Sequence, residues 1–300
     1  MPLLRSLHRY PVKSMHRQDL DEAVLEPWGL RGDRRWMLAR PDGTAITQRD
    51  LPELARYRPQ LDEDGALRLT DPDGAELHVP APRAGEHAAG TEHVERAEAV
   101  EGNVFGNRFA ALAAEEKAQL WFAERFADSV GELRLLHLAD PLARRINPDF
   151  SEPGETVSMA DGYPLLATTT ASLEALNEWL LEQGGAALPM TRFRPNLVVE
   201  GVEAWSEDGW QRVRVGTATF RAVKLCGRCI VTTTDQERGE RTGQEPLRTL
   251  NKRRRIDKKA IFGVNLIPER PDRVTGTALG TLRVGDEVTV LARGERLPAV

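Results

Sequence analysis

The chain has 300 residues, 40% hydrophobic and 29% charged, with a net charge of −5 at pH 7 and two cysteines. That acidic balance excludes an electrostatic nucleic-acid binder, and no run of about 18 apolar residues is present for a membrane span. The length favours two domains, the N-terminus is too short and polar for a secretory leader, and two cysteines fit a reducing compartment, so a cytoplasmic protein is expected.

Leu3 to Tyr10 reads as a strand leading into Pro11-Val12-Lys13-Ser14. Trp36 to Ala39, the turn Pro41-Asp42-Gly43 and Ala45 to Thr47 read as a hairpin. Leu67 to Leu69, Asp71 to Gly74 and Leu77 to Val79 repeat that pattern. Residues 81–103 have little periodicity and read as a boundary with a few irregular strands. From 109 to 127 the pattern is helical, with Leu112, Leu120, Phe122 and Phe126 among good helix formers. A second helix is expected over 171–182, with Thr170 as N-cap and Gly184-Gly185 as the stop. Strands follow at Leu197 to Val199, Val213 to Val215, Phe220 to Leu225, Ile230 to Thr234 and Val284 to Val290. The expectation is a mainly β (α+β) protein: a small N-terminal β-barrel or sandwich over 1–100, then a mainly β domain with a few helices over 101–295.

Both cysteines fall in Leu225-Cys226-Gly227-Arg228-Cys229-Ile230, between an apolar run and a β-branched run. The pair therefore reads as a tight turn between two strands. Arg228 places a fixed positive charge beside both sulfurs, which favours thiolate. Four readings compete. Structural zinc needs four ligands, and the six histidines (8, 16, 78, 87, 93 and 137) are scattered. A redox dithiol wants the pair opening a helix, which the β-branched run opposes. The pair can also be two buried, inert thiols, or one thiolate can hold the soft metal of an organic cofactor.

Three other short stretches put basic or hydroxyl groups at strand ends: Lys13 and Ser14, Arg34 in Gly32-Asp33-Arg34-Arg35-Trp36, and Arg194 in Phe193-Arg194-Pro195-Asn196. Each alone is more often a solvated loop. Convergence would be explained by a phosphate, which guanidinium binds bidentately and lysine binds as a point charge. Asn251-Lys-Arg-Arg-Arg-Ile-Asp-Lys-Lys259 reads first as a solvated, mobile loop, second as a docking site for an acidic electron-transfer partner or a help in holding an anionic cofactor, and third, given the acidic whole, as a nucleic-acid arm.

Cys226-Gly-Arg-Cys-Ile-Val-Thr-Thr-Thr-Asp235, with Glu245-Pro-Leu-Arg-Thr-Leu250, resembles the signature of MOSC-domain proteins, among them the amidoxime-reducing components and their bacterial counterparts. The basic motifs follow in matching order, so the resemblance covers roughly residues 4–292. It implies a MOSC N-terminal β-barrel followed by a β-barrel MOSC domain, and Mo-molybdopterin, the molybdenum cofactor. It further implies Cys229 as the catalytic metal ligand, and Lys13, Ser14, Arg34 and Arg194 on the pterin and phosphate. Asp161, Gly162 and Tyr163 would add contacts, Gly227 and Arg228 would flank the ligand, and Asn265 would close the pocket. The implied activity is reduction of small N-hydroxylated compounds by a monomer, with electrons from a separate protein and neither nucleic acid nor membrane involved. A non-catalytic carrier and a thiol oxidoreductase are the alternatives. Two departures stand out: Asp161-Gly-Tyr-Pro lacks the hydroxyl-rich loop of the mitochondrial relatives, and Gln236 replaces a common proline. No iron–sulfur domain is expected after the last cysteine.

Overall fold

The computed structural model describes residues 1–82, 97–271 and 275–299. The protein is mainly β, with three α-helices: α1 (Glu116–Val130), α2 (Thr170–Glu182) and α3 (Leu247–Arg253). Its largest sheet is built on two ten-residue strands, Ala218–Gly227 and Lys259–Pro268, which pair antiparallel. Leu165–Thr169, Leu197–Glu200, Leu3–Arg9 and Gln18–Leu20 extend the sheet on one side. Trp210–Val215 and Val288–Arg293 extend it on the other. Leu165–Thr169 and Leu197–Glu200 run parallel, so they need a crossover, and α2 supplies it. The first strand of the chain thus lies in the same sheet as the cysteine-bearing strand.

Residues 12–79 pack around a second core, in which Val12, Trp36, Leu54, Leu67 and Leu77 meet α1. That helix buries Ala118, Phe122 and Phe126, an i, i+4, i+8 stripe, while Leu120 is exposed. The helix expected over 109–127 is therefore two elements. Asn107–Ala113 is a strand paired with both Ala99–Val104 and Arg134–His137. Its alanines have high helix propensity, and two-sided pairing overrides it. The stretch 81–103 is described only at its ends; residues 83–96, with His87 and His93, lie outside the described residues.

Four further expectations are corrected. Ile230–Thr233 is a 3-10 turn, not a strand. The Thr232 and Thr233 hydroxyls donate to the carbonyls of Cys229 and Ile230, at 2.9 and 2.8 Å, and so offer the backbone an alternative to a ladder. Residues 284–287 turn, with Gly285 at φ 91°, and the strand begins at Val288. Ala45 makes only an isolated bridge to Ala39. The basic run 251–259 is not a free loop either: it closes α3 and turns into Lys259–Pro268. Arg254 within it donates from Nη2 to both carboxylate oxygens of Asp208 and lies over Trp205. No helix among the described residues is long and apolar enough to cross a membrane.

The N-terminus of α2 sits on a buried carboxyl. Thr169 caps it by accepting from the Ser172 amide, and Ser172 Oγ donates to Glu207 at 2.9 Å. Glu207 is fully buried, its second oxygen has no partner, and burial pushes its carboxyl up to about 7. Between pH 4.5 and about 7 the folded state keeps a proton that the unfolded state loses, so this group costs stability progressively as pH rises. His8, His16 and His137 are pushed down by burial and act with the opposite sign over overlapping pH. The Glu207→Gln difference isolates the effect. The variant should gain on wild type as pH rises through this window, by on the order of 3 kcal/mol in denaturant melts, and a pH-independent difference would refute the assignment.

Candidate functional site

Chain ends and turns at one end of the large sheet bring the expected residues together. After strand Leu3–Arg9, the Lys13 amide bonds to the Trp36 carbonyl and Ser14 takes φ 69°. Arg34 is held at φ 47° by its amide on the Tyr10 carbonyl (2.7 Å) and its carbonyl under the Met159 amide (2.9 Å). Arg194 caps the 3-10 turn Met190–Phe193 at φ 53°. Non-glycine residues in this left-handed region are uncommon and cost energy, and such strain collects at functional sites. Here it aims three side chains inward.

One ring organises two of the cations. The Arg34 and Arg194 guanidinium carbons lie 4.2 and 4.3 Å from the Tyr10 ring centroid. Tyr10 is buried and donates its hydroxyl to the Pro195 carbonyl at 3.1 Å. Arg34 also donates to Asp33 and, at 3.0 Å, to Asn196. Arg194 donates to Gln236 Oε1 at 2.9 Å. Burial pushes the Arg194 guanidinium down to about 10, and pushes the Lys13 ammonium down against the pull of Asp161. Lys13 is 4% exposed and paired with Asp161, whose side chain is 63% exposed toward the opening.

The cysteine turn closes the other side. Strand Ala218–Gly227 ends at Gly227, and the Arg228 amide bonds to the Ala260 carbonyl at 2.7 Å. Arg228 then donates to Cys226 Sγ at 2.8 Å and to the Phe193 carbonyl at 2.7 Å. Its sulfur partner is therefore Cys226, whereas the sequence placed its charge beside both sulfurs. Burial pushes the Cys226 thiol up, with Arg228 opposing. The cation on Cys229 is Arg49, whose Nη2 lies 3.1 Å from Sγ and 3.7 Å from Asp161. Asn265, on the neighbouring strand, donates to the Lys224 carbonyl at 3.2 Å.

Every sequence-derived site residue (Lys13, Ser14, Arg34, Asp161, Gly162, Tyr163, Arg194, Gly227, Arg228, Cys229 and Asn265) lines one cavity of about 180 Å³. Sequence reasoning missed Arg49, which lines it too, and Arg144. The latter is 3% exposed and holds the Asp161 segment by donating to the carbonyls of Ser158, Ala160 and Asp161. Neither carries a local signal, because both arrive from segments distant in the chain. A wider depression of about 1130 Å³ lies along α1, and among the described residues lining it Arg134 is the one cation.

Lys13, Arg34, Arg49, Arg194 and Arg228 face the cavity against one lining carboxylate, Asp161, with the buried Asp33 paired to Arg34 behind it. Positive charge held out of water without a counter-charge is costly, and an anionic ligand offsets that cost. Among the described residues no three His, Cys, Asp or Glu side chains could hold a metal between them. A metal here would take one soft sulfur from the chain and most of its ligands from an organic group. The enclosed volume of about 180 Å³ falls below the roughly 300–1,000 Å³ of ordinary ligand pockets, so it would enclose only part of an organic cofactor. The residues thus fit an anionic, sulfur-ligated cofactor.

Comparison with known proteins gives two family matches: the MOSC N-terminal beta barrel domain over residues 1–129 and the MOSC domain over 154–289. The chain is 30% identical over 300 residues to mitochondrial amidoxime-reducing component 1 of Homo sapiens, covering 95% of this chain and 81% of that one. It is 30% identical over 277 residues to molybdenum cofactor sulfurase of Oryza sativa subsp. japonica, covering 88% of this chain and 32% of that one. Among solved structures, the YUAD protein from Bacillus subtilis covers 96% of this chain and 94% of its own, at 12% identity and a TM-score of 0.38.

If the cation cluster is an anion site, ligand-free protein should be stabilised by inorganic phosphate beyond the effect of chloride at equal ionic strength. At tenfold over the dissociation constant the gain is about 1.4 kcal/mol. Arg194→Ala should lose most of it. Equal melting in both salts would remove the anion-site reading.

Proposed function

The chain belongs to the MOSC family, and on that premise we propose that it is a molybdenum-cofactor-dependent reductase of N-hydroxylated or N-oxygenated compounds, fed with electrons by a separate protein. The observation that carries this reading is the cavity itself: five cations and one lining carboxylate gathered around two free cysteines. The names of the amidoxime-reducing and cofactor-sulfurase relatives support it.

Arg34 and Arg194, fixed on Tyr10, would take the cofactor phosphate bidentately. Lys13 and Ser14 would approach from the end of the first strand. Gly162, Tyr163 and Asn265 would bound the pterin, with Asp161 held in place by Lys13. Gly227 would line the pocket beside the sulfur ligand, and a Cβ there would crowd the Lys259 side chain at 3.3 Å. Cys229 would supply the sulfur ligand, with Arg49 orienting it and Arg228 occupied by Cys226. When bound, the cofactor supplies the two-electron chemistry that removes oxygen from an N–O bond. Overall, the substrate N-hydroxyl takes two electrons and two protons and leaves as amine and water. The sequence has no glycine-rich dinucleotide fingerprint, so the electrons come from a partner.

Cys229→Ser should abolish reduction of an amidoxime by chemically reduced protein, since a hydroxyl replaces a soft sulfur ligand poorly. Cys226→Ser should keep molybdenum and most turnover, at the roughly 0.5–3 kcal/mol stability cost of an ordinary substitution. Metal analysis and turnover on both variants check this. Loss of activity in both with metal retained would turn the assignment toward a dithiol mechanism. NADH alone should drive no turnover by the pure chain.

A further inference from the structure

The hairpin of Ala99–Val104 and Asn107–Ala113 closes on a two-residue turn, Phe105-Gly106. Both turn residues have positive φ, 52° and 85°. Asparagine, aspartate or glycine is favoured at the first position of such a turn, and a bulky side chain there is an outlier. Packing does not account for the phenylalanine. Phe105 is 62% exposed, and among the described residues no other aromatic side chain is exposed to that degree. The turn is braced all the same. The Gly106 amide donates to Asn103 Oδ1 at 2.8 Å, and Asn103 is tied by its backbone to Gly43 and Ala45.

Phe105 stands at the cavity mouth. Its ring centroid is 4.7 Å from the Arg49 guanidinium carbon and 5.6 Å from Lys13 Nζ. Both cations line the cavity and both engage Asp161. A costly turn conformation, a rigid support, an open aromatic face and a position above the sulfur-bearing cluster point the same way. We infer that Phe105 is a specificity-determining residue: a platform on which the planar ring of an aromatic N-hydroxylated substrate stacks while its N–O group enters the cavity. This rests on the reductase reading above.

The test compares benzamidoxime with acetamidoxime on cofactor-loaded protein, reading KM and kcat with a chemical reductant and equilibrium binding by ligand-observed NMR. Phe105→Ala should raise KM for the aromatic compound about five- to tenfold, the size of one lost stacking contact, with kcat changed far less. The aliphatic compound should shift much less. Phe105→Trp should restore the preference and Phe105→Leu should not. Equal shifts for both compounds, or rescue by leucine as complete as by tryptophan, would show a mere apolar roof over Arg49 and overturn the proposal. If wild type binds benzamidoxime through Phe105 yet reduces neither compound, the reductase reading fails and the platform stands. If wild type binds both compounds equally, the platform fails whatever the turnover.

Discussion

Two guanidinium groups on one buried tyrosine ring set the terms for the rest of this site. Arg34 and Arg194 come from segments far apart in the chain, and their like charges repel. The Tyr10 ring attracts both through its π face, and Asp33, Asn196 and Gln236 take up their hydrogen bonds. The fold accepts left-handed backbone at Arg34 and Arg194 to reach this arrangement. Lys13 and Arg49 then add charge that Asp161 only partly balances. Strain, desolvation and repulsion all run against stability here, and an anion bound among the cations would offset the last two.

The two sulfurs show how local geometry separates groups that composition cannot. Each has its own arginine, Arg228 on Cys226 and Arg49 on Cys229. Arg228 is tied at its amide to Ala260 and at its side chain to Phe193, so it belongs to the wall of the cavity. Arg49 spans from sulfur to Asp161 and lies beside the exposed Phe105 ring, so it belongs to the mouth.

Much of the site was legible in the sequence because its pieces are strand ends marked by proline, glycine and arginine. Pro11 to Ser14, Arg34 before Trp36, and Arg194 before Pro195 each encode a local backbone turn, and each turn delivers its side chain. Arg49 and Arg144 were not legible, since nothing near them in the chain distinguishes them from surface arginines; tertiary packing alone gives them partners. The misread elements have the same origin. The threonines after Cys229 have strand propensity, yet their hydroxyls bond back to the chain and tighten it into a 3-10 turn. Asn107–Ala113 reads as helix in isolation and is captured between two strands. The basic run hides Arg254, whose partner Asp208 lies 46 residues away.

Gln48 and Gln236 form a reciprocal amide pair, each donating to the other's oxygen at 3.0 and 2.9 Å, across 188 residues of chain. Gln236 also receives Arg194, and Gln48 donates to the Ser14 carbonyl at 2.7 Å. One pair of side chains thus fastens the first basic segment to the last part of the cysteine turn. Closing a loop of that length carries an entropy cost that these contacts must offset. The cavity is therefore a property of the completed chain rather than of either sequence half. Its walls exist only where both halves have met, so anything bound there would report a completed chain.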